Sequence, residues 1–286
     1  MRQKSLNIRA RSLSTCVFLL GVLFVLLLTS VLNEFEELIA MKIAVRKRKI
    51  GNIPILEVVQ ETKIYEALPM IVYYHGWQTA KELVLTQGRK LATAGFRVIL
   101  PDAMNHGERK TERSKIPSLT FWQSIHTNLF EFDTIIAYFE KLNLTTGVYG
   151  VGGVSMGGMT TTALVTQHPE IKAAACIMGS PDLSMYKKRI AANAKKYGLM
   201  LPKDYEALLS WTDHYDLMQR FDTLGTRPML FWHGTEDEKI PFEDVEQFIK
   251  SHPELRLEFI QKEERHLVKT ETMDLVTNFF VKHLLD

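Results

Sequence analysis

A chain of 286 residues that is 46% hydrophobic and 24% charged has enough apolar material for one large α/β domain with a full core. Its net charge of +2 gives no electrostatic argument for nucleic acid, and the sequence carries no zinc-type Cys/His spacing, no HExxH and no Walker loop. Two cysteines, Cys16 in an apolar N-terminal run and Cys176 in a predicted buried strand, do not make a disulfide framework.

The first forty residues stand apart. Arg2, Lys4, Arg9 and Arg11 precede an uncharged, mostly apolar run at 15–32, which sits at the lower limit for a membrane span. The run is long for a signal-peptide core and no A-x-A-like site follows it, so it predicts a single-pass signal anchor and a membrane-tethered protein. Basic residues flank it on both sides, so charge leaves its orientation open. A second reading starts the protein at Met41, where Met41-Lys42-Ile43-Ala44-Val45 opens like a soluble domain. Glu36-Glu37 would then be the translation of a purine-rich ribosome-binding sequence, and the protein would be soluble and cytoplasmic.

From residue 43 onward the pattern is regular. Residues 43–49 and 53–60 read as strands joined by a Gly51-Asn52 turn. Residues 69–74 form a buried strand running into His75-Gly76-Trp77. A helix at 81–94 closes at Gly95, and a strand at 97–100 leads into Pro101-Asp102-Ala103-Met104-Asn105-His106-Gly107. Residues 119–142 predict an amphipathic helix, since Trp122, Ile125, Leu129, Phe132, Ile136 and Phe139 step by threes and fours. Strands follow at 147–153, 172–178, 228–232 and 256–260, with helices at 159–167, 243–250 and 268–284. Alternation of this kind predicts a mostly parallel central sheet with helices on both faces. Residues 181–227 interrupt it. They are polar, carry Tyr186, Tyr197, Tyr205, Trp211 and Tyr215, and are too long for a plain loop. They are expected to form a small cap of short helices that shapes a substrate pocket, or else simply packs on the surface.

Gly153-Val154-Ser155-Met156-Gly157 fits G-x-S-x-G, between a predicted strand and a predicted helix. That context marks a nucleophile elbow, a sharp turn that lifts a serine hydroxyl above the sheet. Such a hydroxyl needs a base, and the base needs an orienting acid. In chain order the acid comes next, then the histidine. Asp237, in a turn beyond the 228–232 strand, is the candidate acid, with Glu236 and Glu238 as alternatives; His266, after the 256–260 strand, is the candidate base. The oxyanion formed on attack would take backbone N–H donors from Met156 and from Trp77. His75, His106 and His233 each lie at a strand end before glycine and read mainly as loop-shaping, with His106 the one able to approach the pocket.

YYHGW at 73–77, PDAMNHGER at 101–109, GGVSMGG at 152–158, WHGTEDEKIP at 232–241 and ERH at 264–266 together resemble the α/β-hydrolase superfamily. Within it the chain resembles small bacterial serine carboxylesterases of the dienelactone-hydrolase and prolyl-oligopeptidase-like branch, of the YitV/YjfP type. The resemblance covers about 43–286. It implies an α/β-hydrolase fold, Ser155 as nucleophile, Asp237 as acid, His266 as base, a small-molecule ester as substrate, and no cofactor or metal. Dienelactone hydrolases proper use a cysteine nucleophile, so Ser155 argues against that substrate. Residues 1–40 lie outside the resemblance, and such esterases are usually soluble and intracellular.

Thioesterase, lipase and peptidase chemistry fit the same constellation. From other classes, a non-catalytic binding protein of this fold and a membrane-tethered scaffold using residues 15–32 are the alternatives. Nothing in the sequence sets an oligomeric state. Because the predicted core starts near Lys42, residues 1–40 are expected to be dispensable for folding and chemistry. A chain starting at Met41 should be soluble and should hydrolyse a short p-nitrophenyl ester as the full chain does; an insoluble or inactive product would mean that the leucine-rich segment packs into the domain.

Overall fold

The Gly51-Asn52 turn folds β1 (Ile43–Ile50) back onto β2 (Ile53–Gln60) as an antiparallel pair, with Gly51 at a φ of 56°. In this computed structural model residues 42–111 and 116–285 are described. The expected anchor at 15–32 and the alternative start at Met41 lie outside them. Residues from Ile43 onward form one compact unit. Among the described residues, no helix is long and apolar enough to cross a membrane.

Six further strands complete the sheet: β3 (Leu68–Tyr74), β4 (Arg97–Pro101), β5 (Thr145–Val154), β6 (Ile171–Ile177), β7 (Met229–Gly234) and β8 (Leu257–Lys262). Their order is β1-β2-β4-β3-β5-β6-β7-β8. β2 meets β4 antiparallel, and every pair from β4 onward is parallel. β4 and β7 are buried along their whole length, as strands covered on both faces must be. Helices α1 (Leu85–Thr93), α2 (Pro117–Lys141), α3 (Met156–Val165), α4 (Leu183–Lys196), α5 (Tyr205–Leu208), α6 (Phe242–Ser251) and α7 (Thr270–Leu284) follow in chain order. The core divides at the sheet. Leu91 of α1 and Phe280 of α7 pack on one face, while Trp122 and Phe132 of α2, Met159 of α3 and Phe248 of α6 pack on the other.

Two helix starts differ from the sequence reading by more than two residues. The helix expected at 81–94 begins with a 3₁₀ turn at Lys81–Val84 before α1. Lys81 is buried there because its ammonium meets Asp102 at 2.6 Å and Glu108 at 2.8 Å. The helix expected from 159 starts at Met156, directly after Ser155.

Residues 181–227 hold short helices, as expected: α4, α5 and 3₁₀ turns at Ser210–His214 and Phe221–Leu224. Their aromatic side chains are used against α2. His126 stacks on Trp211 with ring centroids 4.3 Å apart, Tyr186 and Trp211 each meet the Trp122 ring, and Trp122 Nε1 donates to the Tyr205 hydroxyl at 3.2 Å. Arg189 of α4 grips Asp244 in the first turn of α6 through two hydrogen bonds, of 2.8 and 3.1 Å.

One charged cluster pins the antiparallel end of the sheet. Glu57 on β2 is fully buried and is held by Arg48 of β1 and Arg97 of β4. Arg97 also donates from Nε to the Leu144 carbonyl at 2.9 Å and from Nη2 to those of Ile64 and Glu66 at 3.0 and 2.9 Å. Arg97→Met would take the partner from Glu57 Oε1, leaving that buried oxygen without its charge while Arg48 still holds Oε2, and would leave these carbonyls without their donor. The expected cost is about 3–5 kcal/mol, readable as a lower denaturation midpoint. A loss below about 1 kcal/mol, the size of an exposed pair, would remove this role.

Candidate active site

Ser155 sits between β5 and α3 with a φ of 56° and a ψ of −115°, a conformation that side-chain-bearing residues rarely adopt. Two close approaches impose the turn. A Cβ on Gly153 would lie 2.5 Å from the Gly157 carbonyl carbon, and one on Gly157 would lie 2.3 Å from the Tyr74 carbonyl oxygen. Glycine at both places lets the helix start against the strands. The Ser155 amide donates to the Ile177 carbonyl at 2.8 Å, locking the turn to the end of β6. Ser155 occupies the N-cap position of α3, yet its side chain makes no capping bond. Its hydroxyl instead lies 2.9 Å from His266 Nε2.

His266 and Asp237 reach this point from loops that are laced together. Thr235 N–H donates to the Lys262 carbonyl at 2.8 Å, and Glu236 N–H to that of Glu264 at 3.0 Å, so the turn after β7 runs against the loop after β8. Asp237 Oδ2 then lies 2.7 Å from His266 Nδ1. The other carboxylate oxygen, Oδ1, accepts from the amides of Lys239 and Ile240 at 2.8 and 2.9 Å. A second histidine adds to this. His233 Nε2 lies 3.3 Å from Asp237 Oδ2 and 2.9 Å from the Ile240 carbonyl. Its Nδ1 is buried with no hydrogen-bond partner among the described residues, so the ring proton sits on Nε2.

Burial alone would raise the Asp237 carboxyl. The hydrogen bonds from His233, His266, Ile240 and Lys239 outweigh it and hold the group well below the ordinary carboxylate range. An ionised Asp237 keeps the His266 proton on Nδ1. Nε2 is then left as an acceptor facing the Ser155 hydroxyl, which is the tautomer a general base requires. The sequence candidates Ser155, Asp237 and His266 are thus brought into one hydrogen-bonded chain. It is Asp237, among the described residues, whose carboxylate meets the His266 ring; the Glu238 carboxylate accepts from the His266 backbone amide instead. Met156 opens α3, where the helix dipole favours developing negative charge. Trp77 lies in the loop after β3, its ring edge-on to His106 and Phe121 at 4.9 and 5.4 Å.

A cavity of about 490 Å³ opens beside Ser155 and His266. Tyr73, Val84, Met178, Leu267, Val268 and Met273 give it largely apolar walls, with Gln87 and Thr79 among its few polar groups. No residue of 181–227 lines it, so the expected pocket-shaping role of that segment is corrected for this cavity. Of the aromatic residues that suggested the role, Tyr186, Tyr205 and Trp211 are taken up by packing against α2, Tyr215 lies against Trp211, and Tyr197 is exposed. Cys176 is no rival nucleophile, because burial pushes its thiol up to about 12. Asp133, His168 and Glu170 bring three possible metal-ligand atoms within 4.8 Å of one another. They lie beyond the C-terminal end of α3, a helix length from Ser155, and so take no part in chemistry at the serine.

The sequence reading understated the three histidines before glycine. All are buried, and His233 touches the candidate acid itself. Their repeated placement at the carboxyl ends of β3, β7 and the loop after β4 was the available signal. Because the fold depresses the Asp237 carboxyl, its ionised form stabilises the native state above about pH 4, and this contribution fades as pH falls below that value. Asp237→Asn should therefore lower Tm most near neutral pH, with the gap to wild type narrowing toward pH ~2. A gap constant across that range in thermal melts would remove the stabilising role of the carboxylate.

The family model described as the alpha/beta hydrolase fold matches residues 69–212. YitV of Bacillus subtilis (strain 168) is 34% identical over 234 residues, which is 77% of this chain and 91% of that protein. Esterase YjfP of Escherichia coli (strain K12) is 26% identical over 248 residues, 85% of this chain and 100% of that protein. Among solved structures, TT1662 from Thermus thermophilus superposes with a TM-score of 0.66 at 17% identity, covering 86% of this chain and 99% of its own. With its serine elbow at the strand–helix turn and its parallel sheet covered on both faces, the chain belongs to the alpha/beta-hydrolase fold family.

Proposed function

We propose that this protein is a serine carboxylesterase that cleaves small acyl esters through an acyl-enzyme on Ser155. The single observation that carries the reading is the hydrogen-bonded chain Ser155–His266–Asp237 at the mouth of an apolar cavity. The name esterase borne by YjfP agrees with it. In this mechanism the Ser155 Oγ attacks the ester carbonyl carbon while His266 Nε2 takes its proton. Asp237 holds the imidazole in place and balances the imidazolium. The carbonyl oxygen, now carrying the charge, is received by the N–H groups of Met156 and Trp77. Collapse expels the alkoxide, which takes the proton from His266 and leaves as the alcohol. Water then enters, gives a proton to His266 and cleaves the acyl-serine by the same steps in reverse order.

The largely apolar walls of the cavity favour a non-polar substituent on the ester, with Lys239 the charged side chain outside the triad that lines it. No group of the chain's own is needed beyond these residues, and the reading calls for no cofactor.

Labelling with a fluorophosphonate probe, followed by peptide mapping, should find Ser155 modified in the full chain. Ser155→Ala should keep the fold, lose the label and lose about three or more decades of kcat on p-nitrophenyl esters. Near-wild-type hydrolysis by that variant would sink the assignment. An unlabelled, inactive wild type would favour a binding protein instead.

A further inference from the structure

Two loops flank the site at the carboxyl ends of β3 and β4, and two histidines tie them together in opposite senses. His75, on the first loop, accepts the Ala103 N–H of the second loop at Nε2, over 3.1 Å. His106, on the second loop, accepts the Gln78 N–H of the first at Nε2, over 3.0 Å. An imidazole nitrogen that accepts a peptide N–H carries no proton, so in both rings the proton is on Nδ1. Each Nδ1 turns back to its own loop: His75 to the Gly76 carbonyl and His106 to the Met104 carbonyl, both at 2.8 Å. The ring centroids are 5.2 Å apart, and each residue is 1% exposed. Burial lowers the His75 pKa and keeps that ring neutral, against the opposing pull of Asp102 and Glu82. Asp102 extends the tie, accepting from Lys81 N at 3.0 Å and from Glu108 N at 3.0 Å.

The consequence falls on one peptide unit. The Gly76 carbonyl and the Trp77 N–H belong to the same planar trans peptide and point in opposite directions. His75 Nδ1 and the Thr79 hydroxyl, the latter at 2.7 Å, both donate to the Gly76 carbonyl, which fixes the plane. The next amide, that of Gln78, is taken by His106. Gln78 holds a φ of 61° and Asn105, beside His106, one of 65°. Such conformations persist only where their surroundings hold them. Gly76 lies against the nucleophile, since a Cβ there would be 3.5 Å from Ser155 Cβ.

We propose that His75 and His106 are positioning residues that clasp the loop after β3 and aim the Trp77 N–H at the oxyanion formed on Ser155. The proposal rests on the esterase reading above. His75 acts through the carbonyl of the donor's own peptide, and His106 acts by holding the neighbouring amide out of competition.

The test uses the full chain, p-nitrophenyl butyrate, and a trifluoromethyl ketone whose hemiketal mimics the tetrahedral oxyanion. His106→Leu should lower kcat about 10²-fold, the size of a lost oxyanion donor, with KM within about threefold. It should weaken the ketone by a similar factor. His106→Gln can present a carbonyl oxygen near the former Nε2, and should keep kcat within about tenfold of wild type and recover ketone affinity. Thr79→Val removes one donor from the Gly76 carbonyl with little change of shape; it should cost kcat about tenfold at unchanged KM, and it serves where the leucine variant fails to fold. Wild-type kcat and ketone affinity in either His106→Leu or Thr79→Val would overturn the clasp while leaving the esterase reading intact. A wild-type enzyme that neither hydrolyses the ester nor labels at Ser155 would overturn both.

Discussion

The close approach of α3 to the strands beneath it governs the rest of the site. Gly157 passes within van der Waals reach of the Tyr74 carbonyl, and Gly153 of Gly157 itself. No side chain fits either gap, so the turn between them is forced tight and Ser155 takes a positive φ. The cost of that conformation is offset by packing on all sides: α3 is buried along its whole length. A serine in a relaxed turn would use its hydroxyl to cap the helix, as serines at this position commonly do. Here the backbone geometry carries the hydroxyl to His266 instead. The strain is therefore the means by which an ordinary side chain is presented to a base.

Around that fixed point the polar groups are over-determined. Asp237 has four hydrogen-bonded neighbours, the loops after β7 and β8 are laced by backbone bonds, and the loops after β3 and β4 are crossed by two imidazoles and a buried ion cluster. Apart from His233 Nδ1, these groups find their partners locally and need no large motion to reach them. A site built this way resembles a preorganised solvent, with dipoles already oriented before charge develops.

Much of this was legible in the sequence because it followed from local rules. Alternating strand and helix patterns gave the sheet, Gly51-Asn52 the first hairpin, and G-x-S-x-G the elbow. The order serine, acid, histidine pointed to His266 and to the turn holding Glu236, Asp237 and Glu238, of which Asp237 was the first candidate. What escaped reading was long-range. Lys81 looks like an exposed helix start until Asp102 and Glu108 are brought to it. His75 and His106 look alike, yet their reciprocal use depends on two loops that only the sheet places side by side. Tyr186, Tyr205 and Trp211 are used in packing while Tyr197 is exposed, and composition cannot tell packing against a helix from lining a pocket. The start of α3 at Met156 was hidden because the elbow's glycines score poorly as helix formers.

Parallel topology has a further consequence for how the molecule comes to exist. Ser155 and His266 lie 111 positions apart in the chain, and every connection between them is a crossover rather than a hairpin. The elbow can take shape once β5, β3 and β6 have met, but His266 arrives only after β7 and β8 have joined the sheet. Contacts this distant are slow to form, since loop closure precedes any reward. During synthesis Ser155 leaves the ribosome well before His266. Under the proposed mechanism, reactivity at the serine is thus withheld from incomplete chains until the last edge of the sheet closes.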